Sequence, residues 1–128
     1  MRDNKTTEKI KRFQDLKIWQ KGIQLVEQIY NTSKSFPKEE IYGLQSQIRR
    51  SAVSIPSNIA EGFARFHNKE YRNFLYIALA SCAELTTQII IATRLKYIEQ
   101  TRADGIISLI EQISKMTMSL IKKLNTSN

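Results

Sequence analysis

The sequence predicts an all-α protein, an up-down-up-down antiparallel four-helix bundle whose second helix is kinked at Pro56. Three observations point there. Apolar residues recur at alternating steps of three and four along four long stretches, the spacing that keeps one helix face turned to a partner. The chain holds only four glycines and two prolines, which suits long helices with short connections and argues against a β-sandwich. Its 128 residues are most simply one domain with a core of its own.

In chain order, residues 1–12 carry Arg2, Lys5, Lys9, Lys11 and Arg12 against Asp3 and Glu8, without helical period. A basic N-terminal tail is expected, read either as a solvated terminus or as an electrostatic arm for a polyanion. It has charge but no apolar run, so no signal peptide is expected. Residues 13–125 are assigned to the bundle. The first helix is expected over about 15–34, with Leu16, Trp19, Ile23, Val26 and Tyr30 in one apolar column and Ile18, Gly22, Leu25 and Ile29 in another. Trp19, in phase with aliphatic residues, reads as core rather than as a ligand platform. Ser35-Phe36-Pro37 ends that helix, because a residue before proline is pushed out of the helical region.

The second helix is expected over 38–65, opened by Pro37 and the acidic Glu39 and Glu40. Its seam runs Ile41, Leu44, Ile48, Ala52, Ile55, Ile59, Gly62, Phe66. A second column holds Arg50, Ser54, Asn58, Glu61 and Arg65, and Arg50 and Glu61 fall within roughly 20° of each other on a straight helix. Pro56 removes the bond to the Ala52 carbonyl, at a cost of about 3 kcal/mol. Because the seam keeps phase from Ile48 to Ile59, a continuous kinked helix is expected, with Ser51 or Ser54 helping to satisfy the freed carbonyl. The turn Phe66-His67-Asn68 follows, with Asn68 as N-cap. The third helix is expected over 69–97, with Tyr71, Ala78, Cys82, Leu85, Ile89 and Ala92 in phase. The fourth, over 102–124, opens on Thr101-Arg102-Ala103-Asp104 as a capping box with Asp in place of Glu. Helices one and three have more apolar width than a single bundle needs, so a homo-oligomer is expected to cover the surplus.

The formal charge is +8, from 20 Lys and Arg against 12 Asp and Glu, which favours polyanionic or acidic partners. The single cysteine, Cys82, fits a reducing compartment. No stretch approaches ~20 uncharged apolar residues, so no membrane span is expected, and a cytoplasmic location is. Catalytic chemistry finds little support. His67 lacks a neighbouring carboxylate to fix its tautomer, and Cys82 sits mid-seam, where a buried inert thiol is expected. There is no metal-ligand spacing and no glycine-rich phosphate loop, so no cofactor is expected. Some four-helix ribonucleases carry an Arg and a following His with four to six residues between them; here the positions that would hold that Arg before His67 are Ala60, Glu61 and Gly62.

The basic residues remain. Arg49 and Arg50 precede the proline, while Arg65, Lys69 and Arg72 gather around the turn between helices two and three, interleaved with Tyr71 and Phe74. For Arg50 the structural alternative is an ion pair with Glu61 or with a neighbouring helix. Reversing Arg65, Lys69 and Arg72 together to Glu is expected to abolish RNA binding and leave the fold intact.

The run Gln47-Ile48-Arg49-Arg50, then Ser54-Ile55-Pro56, then Asn58-Ile59-Ala60-Glu61-Gly62 carries a resemblance. With Phe13, Leu16, Trp19, Arg65, Phe74, Leu75, Ile77, Ala78, Ser81, Glu84 and Leu85, it resembles the small bacterial four-helix family of proteins encoded by intervening sequences in large-subunit rRNA genes, sometimes labelled ribosomal proteins. Ser51 stands where alanine is usual in that family, and Ala80 where glycine is usual. The resemblance implies an antiparallel bundle assembling as a homopentamer without known catalytic residues. It also implies kinship with the accessory variability determinant protein of diversity-generating retroelements, a basic pentameric barrel that binds a reverse transcriptase and nucleic acid. Two functions are therefore expected to compete: an oligomeric bundle binding RNA or a nucleic-acid complex, and a protein-binding scaffold or accessory subunit without direct RNA contact.

Overall fold

A computed structural model of the chain describes residues 10–126. Its helices are α1 (Lys17–Ser33), α2 (Leu44–Phe63), α3 (Asn68–Arg94) and α4 (Gln100–Thr126), with 3-10 turns at Phe13–Asp15 and Lys38–Glu40. Among the described residues there is no strand. Most of the expected basic tail, residues 1–9, lies outside the described residues. Each helix packs on its neighbours in the chain and α4 closes on α1, while α1 and α3, like α2 and α4, make no close backbone contact.

The paired residues define how the helices lie together. Ser33 meets Gln45 and Arg49, and Gly22 faces Pro56. Ser54 meets Ser81, and Gly62 abuts Tyr71 and Phe74. Arg72 reaches Leu124, and Cys82 bonds Ser114. Thr32 meets Arg102, and Lys21 meets Gln112. In each pair a rising number on one helix meets a falling number on the next.

The core is the set of inward positions that the period selects. Ile18, Leu25 and Ile29 of α1, Ile48, Ala52, Ile55 and Ile59 of α2, Leu75, Leu85 and Ile89 of α3, and Ile106, Ile110, Ile113 and Ile121 of α4 are buried. Each such leucine or isoleucine side chain contributes about 1.5–3 kcal/mol by leaving water. Of the two α1 columns, the one through Ile18, Gly22, Leu25 and Ile29 is buried; Trp19, Ile23 and Val26 are half-buried and Tyr30 is exposed. The α2 seam holds from Ile48 to Gly62 but fails at both ends. Ile41 and Phe66 stand outside the helix, and Phe66 is 99% exposed.

The helix limits differ from the expected ones for identifiable reasons. The second helix starts at Leu44 rather than at 38, because Lys38–Glu40 closes as a 3-10 turn and the Glu40 carboxylate then accepts the Leu44 backbone N–H at 2.9 Å. The third ends at Arg94 rather than 97. There Lys96 takes a left-handed conformation (φ 69°), the Tyr97 N–H bonds the Ala92 carbonyl at 2.8 Å and the Lys96 N–H bonds the Thr93 carbonyl at 3.0 Å. This is a Schellman ending with lysine where glycine is usual. The N-cap of α3 is His67 rather than Asn68. The expected capping box of the fourth helix does not form: α4 begins at Gln100, whose side-chain amide donates to Asp104 at 2.8 Å.

Helix α2 is continuous through Pro56. A Cβ on Gly22 would stand 3.1 Å from the Pro56 Cβ, so the glycine makes room for the ring between the helices. Burial of that ring offsets part of what the missing hydrogen bond costs. Ser54, one of two residues expected to serve the carbonyl freed at Ala52, is engaged elsewhere. Its hydroxyl lies 2.8 Å from Ser81 Oγ and accepts from the Asn58 side-chain amide at 2.9 Å.

Candidate functional site

The basic residues singled out in the sequence divide into two groups by what they touch. Arg49 is half-buried and ties α2 to the end of α1: its Nε donates to Ser33 Oγ at 2.8 Å, its Nη2 to the Tyr30 carbonyl at 3.3 Å, and its guanidinium lies 4.5 Å from the Tyr30 ring centre. Arg72 donates to the Leu124 carbonyl at 3.2 Å, placing a cation where the α4 dipole ends. These two serve backbone carbonyls.

Arg50 and Lys69 are exposed. The ion pair weighed for Arg50 with Glu61 is absent, since Glu61 instead lies 3.3 Å from Arg65. Equal angles on a helix do not bring side chains together: eleven residues separate the two by about 16 Å along the axis. Arg65 also covers the Phe74 ring at 4.7 Å, and Tyr71 is buried, so neither aromatic expected to interleave with the cations presents a free face. Phe66, which the α2 seam had assigned to packing, is the exposed aromatic at this turn. The signal that identifies it is the helix end at Phe63, three residues before it.

Asn58, Gly62 and Pro56 serve contacts between helices, whereas Glu61 is exposed and pairs with Arg65 on its own helix. Asn58 and Ser54 form a polar chain with Ser81 across the α2–α3 contact. At Gly62 an added Cβ would stand 2.8 Å from Phe74 Cβ and 3.1 Å from the Tyr71 carbonyl oxygen. Glycine therefore permits the close approach of α2 to α3 beside the turn.

Charge is distributed unevenly. The 3-10 turn Phe13–Asp15 touches α2, and Arg72 touches the end of α4, which gathers residues 10–17, 61–72 and 118–126 at one end. Among the described residues that end carries eight basic residues, Lys11, Arg12, Lys17, Arg65, Lys69, Arg72, Lys122 and Lys123, against the acidic Asp15, Glu61 and Glu70. The opposite end, where Phe36 packs on Tyr97 and Arg49 reaches Ser33, is less basic: Lys34, Lys38, Arg49, Arg94, Lys96 and Arg102 face Glu39, Glu40, Glu99 and Asp104.

Two apolar surfaces lie on the flanks. One combines Tyr30, Ile41, Tyr42 and Val53 around Arg49 and Arg50. The other is the outer face of α3, with Tyr76, Ile77, Ile90, Ile91 and Leu95 exposed. By length and composition alone α3 would pass for a membrane span, because Glu84 is the one charge between Phe74 and Ile91, a test that the core helix of a water-exposed bundle also passes. Its inner face nevertheless forms part of the bundle core. Among the described residues no three His, Cys, Asp or Glu side chains come together. Cys82 is buried, and burial pushes its thiol up, with the Ser114 hydrogen bond opposing.

These features define a class: an all-α four-helix protein with a polar joint between its middle helices and, among the described residues, no cluster of His, Cys, Asp and Glu able to hold a metal ion. The chain belongs to the 23S rRNA-intervening sequence protein family, whose model matches residues 14–119. It is also similar to a solved structure of a protein of unknown function from the S23 ribosomal protein family of Bacteroides thetaiotaomicron VPI-5482. The two are 26% identical, with a TM-score of 0.76, over 82% of this chain and 98% of that one. Nothing in the family or in that structure points to catalysis. A comparison with curated proteins gives no match.

Proposed function

We propose that this protein is a non-enzymatic, oligomeric helical bundle, up-down-up-down in topology, that works in the cytoplasm and binds RNA or a nucleic-acid complex through its basic surface. The observation that carries this reading is the lopsided charge: among the described residues the end holding Lys69 has eight basic residues against three acidic ones, the other end six against four. A local field of one sign attracts a polyanion and raises its rate of encounter. Lys69 is the direct contact at that end in this reading, Arg65 joins it by leaving its exposed and therefore weak pair with Glu61, the exposed Arg50 is a separate contact on the flank beside Tyr42, and Arg49 and Arg72 hold the scaffold.

The oligomer rests on the two apolar flanks. They are unlike surfaces of one chain, which suits head-to-tail closure into a ring, such as the homopentamer the resemblance implies, better than a twofold dimer. The exposed apolar face of α3 is then covered by a second copy rather than by lipid. Ile91→Glu places a charge on that face, and light scattering should show its mass fall while its helix content stays unchanged. A wild-type chain that is monomeric at every concentration removes the ring.

RNA titration at two salt concentrations, on protein of determined mass, tests the binding. Affinity that falls steeply with salt supports phosphate contacts. Lys69→Glu is the clean variant, because reversing Arg72 as well would break its bond to Leu124 and disturb the fold. No binding at low salt favours the second reading, a scaffold or accessory subunit, for example of a reverse transcriptase. The observation behind that reading is Tyr42, 96% exposed beside Arg49 and Arg50, a pairing of residue types common at protein interfaces.

A further inference from the structure

We propose that Phe66 is a stacking platform for an unpaired base, so that the basic end selects single-stranded over double-stranded nucleic acid. This inference rests on the nucleic-acid reading above and names the form of ligand it takes. The turn between α2 and α3 carries Arg65, Phe66, His67 and Lys69, all exposed, and the Phe66 ring is 99% so. An aromatic ring held fully in water contributes nothing to the core and forgoes the stabilisation that burying it elsewhere would give. The other rings nearby are occupied: Tyr71 is buried and Phe74 lies under the Arg65 guanidinium. Among the described residues of this turn Phe66 is the large apolar ring left open to solvent, with the exposed Arg65 and Lys69 beside it.

Those two properties together are what single-stranded nucleic acid recognises. Cations follow the phosphates, and an aromatic face takes one base whatever its identity, because every base has a π-face. A duplex keeps its bases stacked on each other and offers none to the ring. A lipid surface fits less well, since along the chain the next exposed large apolar side chain is Tyr76, more than two turns into α3. One ring gives only marginal membrane affinity, whereas one ring suffices for one base.

The test compares wild type, Phe66→Ala and Phe66→Trp on a fluorescent single-stranded RNA and on a blunt RNA duplex of equal length, at low and moderate salt. Phe66 is outside every helix, so circular dichroism and mass should match wild type in both variants. The expected result is a single-strand affinity about 5- to 100-fold weaker in Phe66→Ala, with duplex affinity and salt dependence unchanged. Phe66→Trp retains binding, and its added tryptophan fluorescence is quenched by the single strand. Equal affinity of Phe66→Ala and wild type for the single strand overturns the platform but leaves the basic surface standing. Absence of any RNA binding by wild type at low salt overturns both. Loss of binding only to phosphatidylserine vesicles, or a change of mass, assigns the ring to lipid or to a second copy and also overturns the proposal.

Discussion

Gly62→Ala should destabilise the protein, and the closeness of α2 to α3 sets the size of the effect. The added Cβ would meet Phe74 Cβ at 2.8 Å, Tyr71 Cδ1 at 3.0 Å and the Tyr71 carbonyl oxygen at 3.1 Å. Carbon atoms pack best at about 3.5–4.0 Å, so the two helices must part by roughly half an ångström or more. Two of the three obstacles, a backbone oxygen and a Cβ, cannot swing aside. Overpacking of this kind costs about 1–3 kcal/mol. Alanine recovers at most about 1 kcal/mol of helix propensity, and less here, one residue before the end of α2. The net loss should be about 1–2 kcal/mol. Gly105→Ala supplies the internal control, because nothing lies within 4 Å of the Cβ it would add. It should gain about 0.5–1 kcal/mol from propensity alone. Urea unfolding followed by circular dichroism at one fixed protein concentration reads both as shifts of midpoint at constant slope. In thermal unfolding of a 128-residue chain each kcal/mol corresponds to about 4 °C. Gly62→Ala as stable as wild type, or both variants shifting in the same direction, would refute the reasoning.

Three further outcomes follow from other contacts. Ser54→Ala and Ser81→Ala should each cost about 1 kcal/mol, and the double variant should cost less than their sum, because the second change removes the partner the first orphaned; an additive cycle in urea denies the bond. Lys96→Gly should stabilise by about 0.5–1 kcal/mol, since glycine enters the left-handed conformation without the penalty a side chain brings; a melting point at or below that of wild type rejects the Schellman ending. Cys82 should resist thiol reagents until the protein unfolds, and stability should decline as pH climbs above about 9. The sign follows from the raised folded-state value: below the ordinary value of 9.0 both states hold the proton, and above it the unfolded chain releases its proton first. Stability that rises with pH in that range contradicts a buried thiol.

Much of the architecture was legible because it depends on phase. Ile48, Ala52, Ile55 and Ile59 are buried where a period of 3.6 residues places them, and the run stays in register through Pro56 because Gly22 opposite has no side chain to collide with the ring. The ends were not legible. Glu40 capping Leu44, and Lys96 in a conformation that usually marks itself with glycine, are tertiary choices without a strong local signature. The candidate site failed in a related way. The angle around the axis aligned Arg50 with Glu61, but the rise per residue, which the sequence gives equally, leaves them about three turns apart. Arg49 and Arg72 bond main-chain carbonyls, acceptors that every residue has and that the sequence therefore cannot mark. Phe66 was given to the core by extending a seam past the point where its helix stops.

The uneven charge has a consequence for assembly. Rotation about a single axis repeats a chain without turning it over, so in any ring whose axis runs along the bundles every copy presents its Lys69 end on the same side. What is a polar molecule as one chain becomes a two-faced disc as a ring, with one rim more cationic than the other. A strand long enough to follow that rim can touch several copies in succession. Its affinity would then grow with length by avidity, although no copy had gained a contact.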